Sequence, residues 1–379
     1  MELSRRALGR AAAVGAVAVG LQAVTSKAAV AEPSSRRTAD EQEQLQALYK
    51  KARAESGRVT VYMGGDTSGF WDFIPQAFLA KFPGVQLHMV TDLSKYHYAR
   101  IDNQLATGDV VADVAIVQTT QDFERWKAEG ELLKYRPIGW ERVFDNAKDP
   151  DGYWTGALYA AFSPVVNTKF LPADPGDFRA TDLLDPAFTN KIASVWPNDD
   201  DAILFQYKLF IDQYGWSWLE RLVAQNPAFL RGGPNVTTAI ADGTYLATPA
   251  LAGAPSATAV QVLPHHDRFV SWAQRAAILR RSKHQATAKL FLSWLLSAET
   301  QKNVIGSFTW PVRADVPQPA WLKPLADYRT TDPLAFPRFM RDRGAVERFR
   351  SQVELYVGLV QGADPADPAG TLGRTPGRF

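Results

Sequence analysis

The chain has 379 residues, no cysteine, and a formal net charge of +2 from 42 basic and 40 acidic side chains. The missing cysteines exclude disulfides, thiolate metal sites, thiol nucleophiles and a lipid-bearing cysteine anchor. The near-balanced charge excludes a strongly basic nucleic-acid surface, and the length predicts two lobes rather than one core.

Residues 1–31 read as an export signal. Ser4 precedes the twin arginines Arg5 and Arg6, a mild apolar run spans Ala11 to Val24, and Ala29-Val30-Ala31 offers a cleavage site. Gly15 and Gly20 dilute the run and Lys27 stands just before the cut, which favours the twin-arginine route. The run is shorter than the roughly 20 residues that span a bilayer, so the expected protein is periplasmic or secreted and not membrane-embedded. Arg5, Arg6, Arg10, Lys27 and Glu2 leave with the signal and turn +2 into −1. No nucleic-acid partner is therefore expected.

Glu32 to Thr38 is polar and reads as a flexible leader before a helix with Leu45, Leu48, Tyr49 and Ala52 at helical spacing, the two filling 32–57. A strand Val59 to Met63, a Gly-Gly turn, a helix from about Phe70 to Phe82 and a strand Val85 to Val90 follow. A helix through Ile101 and Leu105, a strand Val111 to Val117 and a helix Gln121 to Glu129 continue the alternation, which predicts an α/β lobe with a mainly parallel sheet. Tyr153 to Val166 breaks this rhythm and reads as a crossover strand and hinge.

Ile192 to Trp196 is the next predicted strand. A helix from Ala202 to Tyr214 follows and ends at Gly215, and Ser217 with Glu220 predicts a capping box for another helix. Tyr245 to Pro249 leads the chain back, Phe269 to Leu279 forms a further strand, and one helix runs from His284 to Asn303. The expected fold class is α/β with two lobes, each a mainly parallel sheet flanked by helices. The first lobe takes 58–163 with 264–312, the second 164–263 with 313–370, and 371–379 is a flexible tail.

The usual catalytic motifs are absent, including G-x-G-x-x-G, G-x-S-x-G and H-E-x-x-H. Polar residues instead cluster past the carboxyl ends of predicted strands, where open α/β sheets bind ligands. Gly64, Gly65, Asp66 and Thr67 allow close backbone approach at a helix start, or form only a tight turn. Asp92, Ser94, Lys95 and Tyr96 combine an anion, a cation, a hydroxyl and a ring, or form a solvated helix cap. Gln118 and Thr119 hold the third such position, and Phe162 on the crossover joins these cleft candidates. Asn198, Asp199, Asp200 and Asp201 precede a helix that needs one capping acid and accommodates about one more, leaving one unexplained. Pro264-His265-His266-Asp267 reads as a solvated turn, because neighbouring side chains point apart.

Several segments occur in a telling order. They are Val59 to Thr67, Ala112-Asp113-Val114, Asp149-Pro150-Asp151-Gly152-Tyr153-Trp154, Asp182-Leu183-Leu184-Asp185-Pro186, Ala288 to Glu299, and Trp310-Pro311-Val312-Arg313. Together they resemble the extracellular solute-binding proteins of ABC importers, in the branch commonly labelled iron(III)-type. The resemblance implies the type II periplasmic-binding-protein-like fold, a small polar solute in an interlobe cleft, hinge closure, delivery to permease subunits, a monomer, and no cofactor, metal or catalysis. Ferric-binding members have two adjacent tyrosines after the returning second-lobe strand. Here that stretch reads Tyr245-Leu246-Ala247-Thr248-Pro249-Ala250-Leu251, without the pair. A secreted hydrolase using the 199–201 carboxylates and a metal-binding family member are the alternatives.

Overall fold

The computed structural model describes residues 34–253 and 258–379, with side chains from residue 38 onward. The export-signal reading lies outside the described residues. Helix α1 (Ser34–Glu55) begins inside the stretch expected as a flexible leader. It belongs to the first-lobe core, where Leu45 and Ala52 are buried with Phe291 and Trp294.

Strands β1 (Arg58–Gly64), β2 (Gln86–Asp92) and β3 (Val114–Val117) alternate with helices α2 (Phe73–Lys81), α3 (Ser94–Thr107) and α4 (Thr120–Ala128). The three strands are parallel, with β1 in the middle. Their side chains alternate as the two-residue period requires. Val59, Val61, Val114 and Ile116 face α1 and α2, whereas Tyr62, Ala115 and Val117 face Ile101, Phe123 and Trp126.

Strand β4 (Thr155–Asn167) is the expected crossover. It pairs antiparallel with β9 (Val270–Ile278) from Thr155 to Phe162, and β9 in turn lies antiparallel to β3. The first-lobe sheet is therefore parallel on one side and antiparallel at the crossovers. From Ser163 onward β4 pairs instead with β7 (Ala247–Leu251) and β8 (Ala259–Gln261), and its register against β7 shifts between Ser163 and Val165. One strand thus serves both lobes, and it bends at Pro164, whose ring nitrogen has no proton to donate.

The second lobe holds β5 (Ala193–Val195), α5 (Asp201–Tyr214), α6 (Trp216–Ala224), β6 (Ala228–Leu230) and α7 (Gly233–Ala241). Strands β5 and β6 are parallel, and a bridge from Ile192 to Ala247 joins them to β7. The expected Ser217 capping box is not formed. Gly215 takes the N-cap position, leaving Ser217 already inside α6.

The helix expected from His284 to Asn303 is also divided. Helix α8 (Gln285–Leu296) stops at Ser297, whose hydroxyl accepts the Thr300 N–H and starts the short α9 (Ala298–Thr300) and the wider turns of 301–305. Helices α10 (Ala335–Arg341) and α11 (Arg343–Val357) put Phe336, Met340 and Val353 into the second-lobe core. Leu322 and Leu325 pack with Trp140 and Trp310 instead, so this part of 313–370 joins the first lobe.

Residues 371–379 are seated, contrary to the expected flexible tail. The Thr60 hydroxyl donates to Gly377 O at 2.8 Å, the Tyr62 hydroxyl to Pro376 O at 3.0 Å, and Arg100 Nε to Gly373 O at 2.7 Å. The Phe379 ring stacks on His88 with centroids 4.0 Å apart. Backbone carbonyls freed by proline and glycine here meet side-chain donors, a source of order that composition does not show. Deleting residues 359–379 is expected to lower stability by about 2 kcal/mol, as several such bonds are lost while ordering entropy is regained. Urea unfolding followed by tryptophan fluorescence measures it, and an unchanged midpoint would mean the tail contributes nothing.

Candidate functional site

The carboxyl ends of β1 and β3, the starts of α3, α5 and α7, and the bend of β4 converge on one cavity of about 310 Å3. Gly64 and Gly65 at the end of β1 are set by close approach. A Cβ on Gly64 would stand 2.1 Å from Ser94 Oγ, and one on Gly65 would stand 2.7 Å from Trp71 Nε1. Ser94 is fixed by the Gln118 N–H, which donates to its hydroxyl at 2.9 Å and ties the second strand-end loop to the third.

Of the residues expected from sequence, Gly64, Gly65, Asp66, Ser94, Lys95, Gln118, Thr119, Phe162, Asp199 and Asp200 line this cavity. Thr67, Asp92, Tyr96 and Asn198 are not among its lining residues. Asp92 shares the β2 face of Val90, directed toward α3, and there accepts the Leu93 N–H at 2.7 Å and pairs with Arg100. Burial raises its pKa, with Arg100 opposing. The Asn198 amide turns to α11, donating to Glu354 and to Gly358 O at 3.0 Å each.

The three aspartates before α5 have three different tasks. Asp199 bridges the lobes, pairing with Lys95 of α3 and accepting from Arg231 Nε at 2.8 Å. Burial works against this carboxylate, but the two cations outweigh it and hold its pKa below the ordinary value. Asp200 caps α5 by accepting the N–H groups of Ala202 and Ile203 at 2.7 and 2.9 Å. Asp201 pairs with Arg350 of α11. The acid unexplained by capping is thus Asp199, held by Lys95 and by an arginine from a stretch where sequence pattern showed no element.

Asp66 makes the other crossing between lobes. The Gly233 N–H donates to its Oδ2 at 2.8 Å, so a first-lobe carboxylate closes the start of second-lobe helix α7. Arg231 also donates to the Tyr96 hydroxyl at 3.3 Å. The lobes are therefore in contact in this structure. Sequence reasoning missed α7, although Gly232-Gly233-Pro234 carries the proline-at-first-turn signal of a helix start. It also missed the rings of Trp71, Trp272, Phe308, Trp310 and Trp321, which line the cavity from four separate segments.

Burial, then the nearby Asp66 charge, raises the Asp200 pKa to about 7. Asp66 is likewise raised by burial and by Asp199 and Asp364, with the Gly233 N–H opposing. A carboxyl whose folded pKa lies above its unfolded value binds more protons when folded, so its contribution to stability falls as pH rises from about 4 to about 7. Asp200→Asn keeps a capping oxygen and removes the charge. It is expected to raise the melting temperature of the ligand-free protein by about 2–5 °C at pH 8 and by little at pH 4. Calorimetric scans at the two pH values check this; an equal effect at both would contradict the raised pKa.

His265 and His266 lie near Asp174 and Asp177 respectively, and their rings stand 6.4 Å apart and nearly perpendicular. Among the described residues no group of three His, Asp or Glu side chains is placed to hold a metal ion. No helix of the described residues is long and apolar enough to cross a membrane.

Two α/β lobes joined by crossover strands, with a cavity where they meet, define a type II periplasmic-binding-protein fold. The fold matches that of iron-bound HitA from Pseudomonas aeruginosa at 20% identity and a TM-score of 0.60, over 80% of this chain and 99% of that one. AfuA from Actinobacillus pleuropneumoniae, solved with exogenous fructose-6-phosphate, gives 18%, 0.63, and 80% and 99%. An ABC-transporter substrate-binding protein from Agrobacterium tumefaciens gives 13%, 0.66, and 79% and 95%. No curated protein matches the chain in sequence.

The chain belongs to the bacterial extracellular solute-binding protein family, whose profile it matches over residues 109–332. It is the substrate-binding component of an ABC-type importer, binding a small solute and working with permease subunits. Members of this family are solute-binding proteins and not enzymes.

Proposed function

We propose that the chain is exported by the twin-arginine route, works as a monomer in the periplasm, and captures a small polar solute in the cavity between its lobes. The observation that carries this reading is the enclosure of that cavity by groups from both lobes, through Asp66 with Gly233, Lys95 with Asp199, and Tyr96 with Arg231. Polar side chains at strand ends supply directional bonds and the rings supply apolar surface, the usual composition of a solute site.

The described lining residues include no tyrosine, so a ferric ion held by phenolates finds no support in the cavity. Asp199 and Asp201 are each engaged by cations, so among the described residues the 199–201 run leaves only Asp200 without an ionic partner. Native mass spectrometry of the purified protein, with small-angle scattering before and after removal of the retained solute, tests the proposal. A stoichiometric small molecule and a larger radius of gyration without it are expected. A radius unchanged by solute removal would contradict closure around a ligand.

A further inference from the structure

Two carboxylates on the cavity wall lack a cationic partner among the described residues. Asp199 is matched by Lys95 and Arg231, and Asp201 by Arg350. Asp66 and Asp200 have no such partner: among the described residues their carboxylates receive only backbone N–H groups, from Gly233 and from Ala202 and Ile203. The starts of α7 and α5 offer each acid about half a positive charge, less than its own full charge. Two acids that repel one another thus face the same cavity.

The only basic side chain on the described cavity wall is Lys95, which is already paired. A phosphate or carboxylate solute would therefore add like charge to the site. The rest of the wall suits a cation, because Trp71, Phe162, Trp272, Phe308 and Trp310 surround the space with rings whose faces attract positive charge. A separate feature also points to a ligand. Gln274 is buried at 5% exposure and lines the cavity, and its carboxamide oxygen accepts from Trp272 Nε1 at 2.8 Å. Its NH2 group is left as a donor for a ligand oxygen or other acceptor.

We propose that the solute carries a protonated amine, bound by Asp66 and Asp200 among the aromatic rings, with a hydrogen-bond acceptor elsewhere that meets Gln274. This rests on the reading that the interlobe cavity is the solute site. In the bound complex the ammonium donates to the carboxylate oxygens left open by the helix starts and gives the two acids the cationic partner they lack. No bond is made or broken.

The test uses the full mature chain, freed of retained solute, titrated calorimetrically at pH 8. The probes are 2-phenylethylamine, putrescine and 4-aminobutan-1-ol as amines, 2-phenylethanol and 1,4-butanediol as neutral counterparts, and phenylacetate as the anion. At least one amine is expected to bind tenfold or more tightly than its neutral counterpart, with phenylacetate weakest. Asp66→Asn and Asp200→Asn, which keep acceptors for the backbone, should each remove that preference while leaving the weak neutral binding unchanged. Melting curves of both variants confirm that they fold.

If no amine is preferred, or phenylacetate binds best, the amine assignment is overturned. The retained solute then separates the two readings. A neutral or anionic solute whose binding is weakened by Trp272→Ala keeps the cavity as the site and removes only its charge selectivity. A retained solute indifferent to Trp272→Ala removes the cavity reading itself.

Discussion

Asp113→Ala is expected to destabilise the protein by about 3–5 kcal/mol, the largest loss from any single polar side chain in the first lobe. The carboxylate is 1% exposed and accepts the Thr60 N–H at 2.8 Å and the Ser282 hydroxyl at 2.6 Å, with His284 Nδ1 at 3.0 Å. It therefore ties the start of β3 to β1 and to the turn that leads into α8. Alanine would strand a strand N–H and a hydroxyl in a place that water does not reach, and each such group costs about 1–3 kcal/mol. Asp113→Asn, which retains one acceptor oxygen, should lose less. Urea unfolding monitored by tryptophan fluorescence gives both values, and an alanine variant within 1 kcal/mol of the parent would refute this account.

The closure proposed above predicts that Asp199→Ala shifts the lobes toward an open form. The side chains of Asp199 and Arg231 are 7% and 10% exposed and that of Lys95 is 33% exposed, so the pairing is largely sheltered on one side and partly screened on the other. Removing the acid leaves two cations facing each other across the closed cleft. The open form avoids that penalty. A loss of about 2 kcal/mol from the closed form corresponds to roughly a 30-fold weaker apparent affinity, because only the closed form holds the solute. Calorimetry with the retained solute should show this drop, accompanied by a larger radius of gyration at subsaturating solute. Lys95→Ala should have a smaller effect, since Arg231 still neutralises Asp199. Equal affinity in the parent and Asp199→Ala would show that the bridge plays no part in closure.

The parts of the fold legible in the sequence are those whose information is local. Short, largely apolar runs mark β1 and β3, the long β-branched run marks β4, and the resemblance rests on residues that hold the frame together. Asp113 is one such residue. Asp149 is another, accepting the Tyr153 N–H at 2.9 Å and pairing with Lys127 at 2.7 Å. Buried Arg313 is a third, matched by Glu41 of α1 and by Asp315. Frame residues of this kind identify a fold without identifying its ligand.

The site was legible only in part, because its chemistry is assembled across the chain. The strand-end rule located Gly64 to Asp66, Ser94, Lys95 and Gln118. It could not distinguish the last acid of β2, Asp92, which turns toward α3, from its neighbours at the cleft. Arg231 and Gly233 lie far in sequence from the carboxylates they meet, so no spacing announces them. The seated tail escaped for a related reason: its partners Thr60, Tyr62 and His88 belong to β1 and β2, at the opposite end of the chain.

The bend of β4 has a mechanical consequence. Phe162 forms part of the cavity wall, and the strand changes its partner from β9 to β7 at Ser163, its immediate neighbour. Pivot and contact surface are adjacent links of one chain, with no compliant spacer between them. A solute of different girth that pushes against Phe162 therefore acts on a lever with almost no arm. Under the closure proposed above, small differences at that ring would translate into larger differences in the splay of the lobe tips.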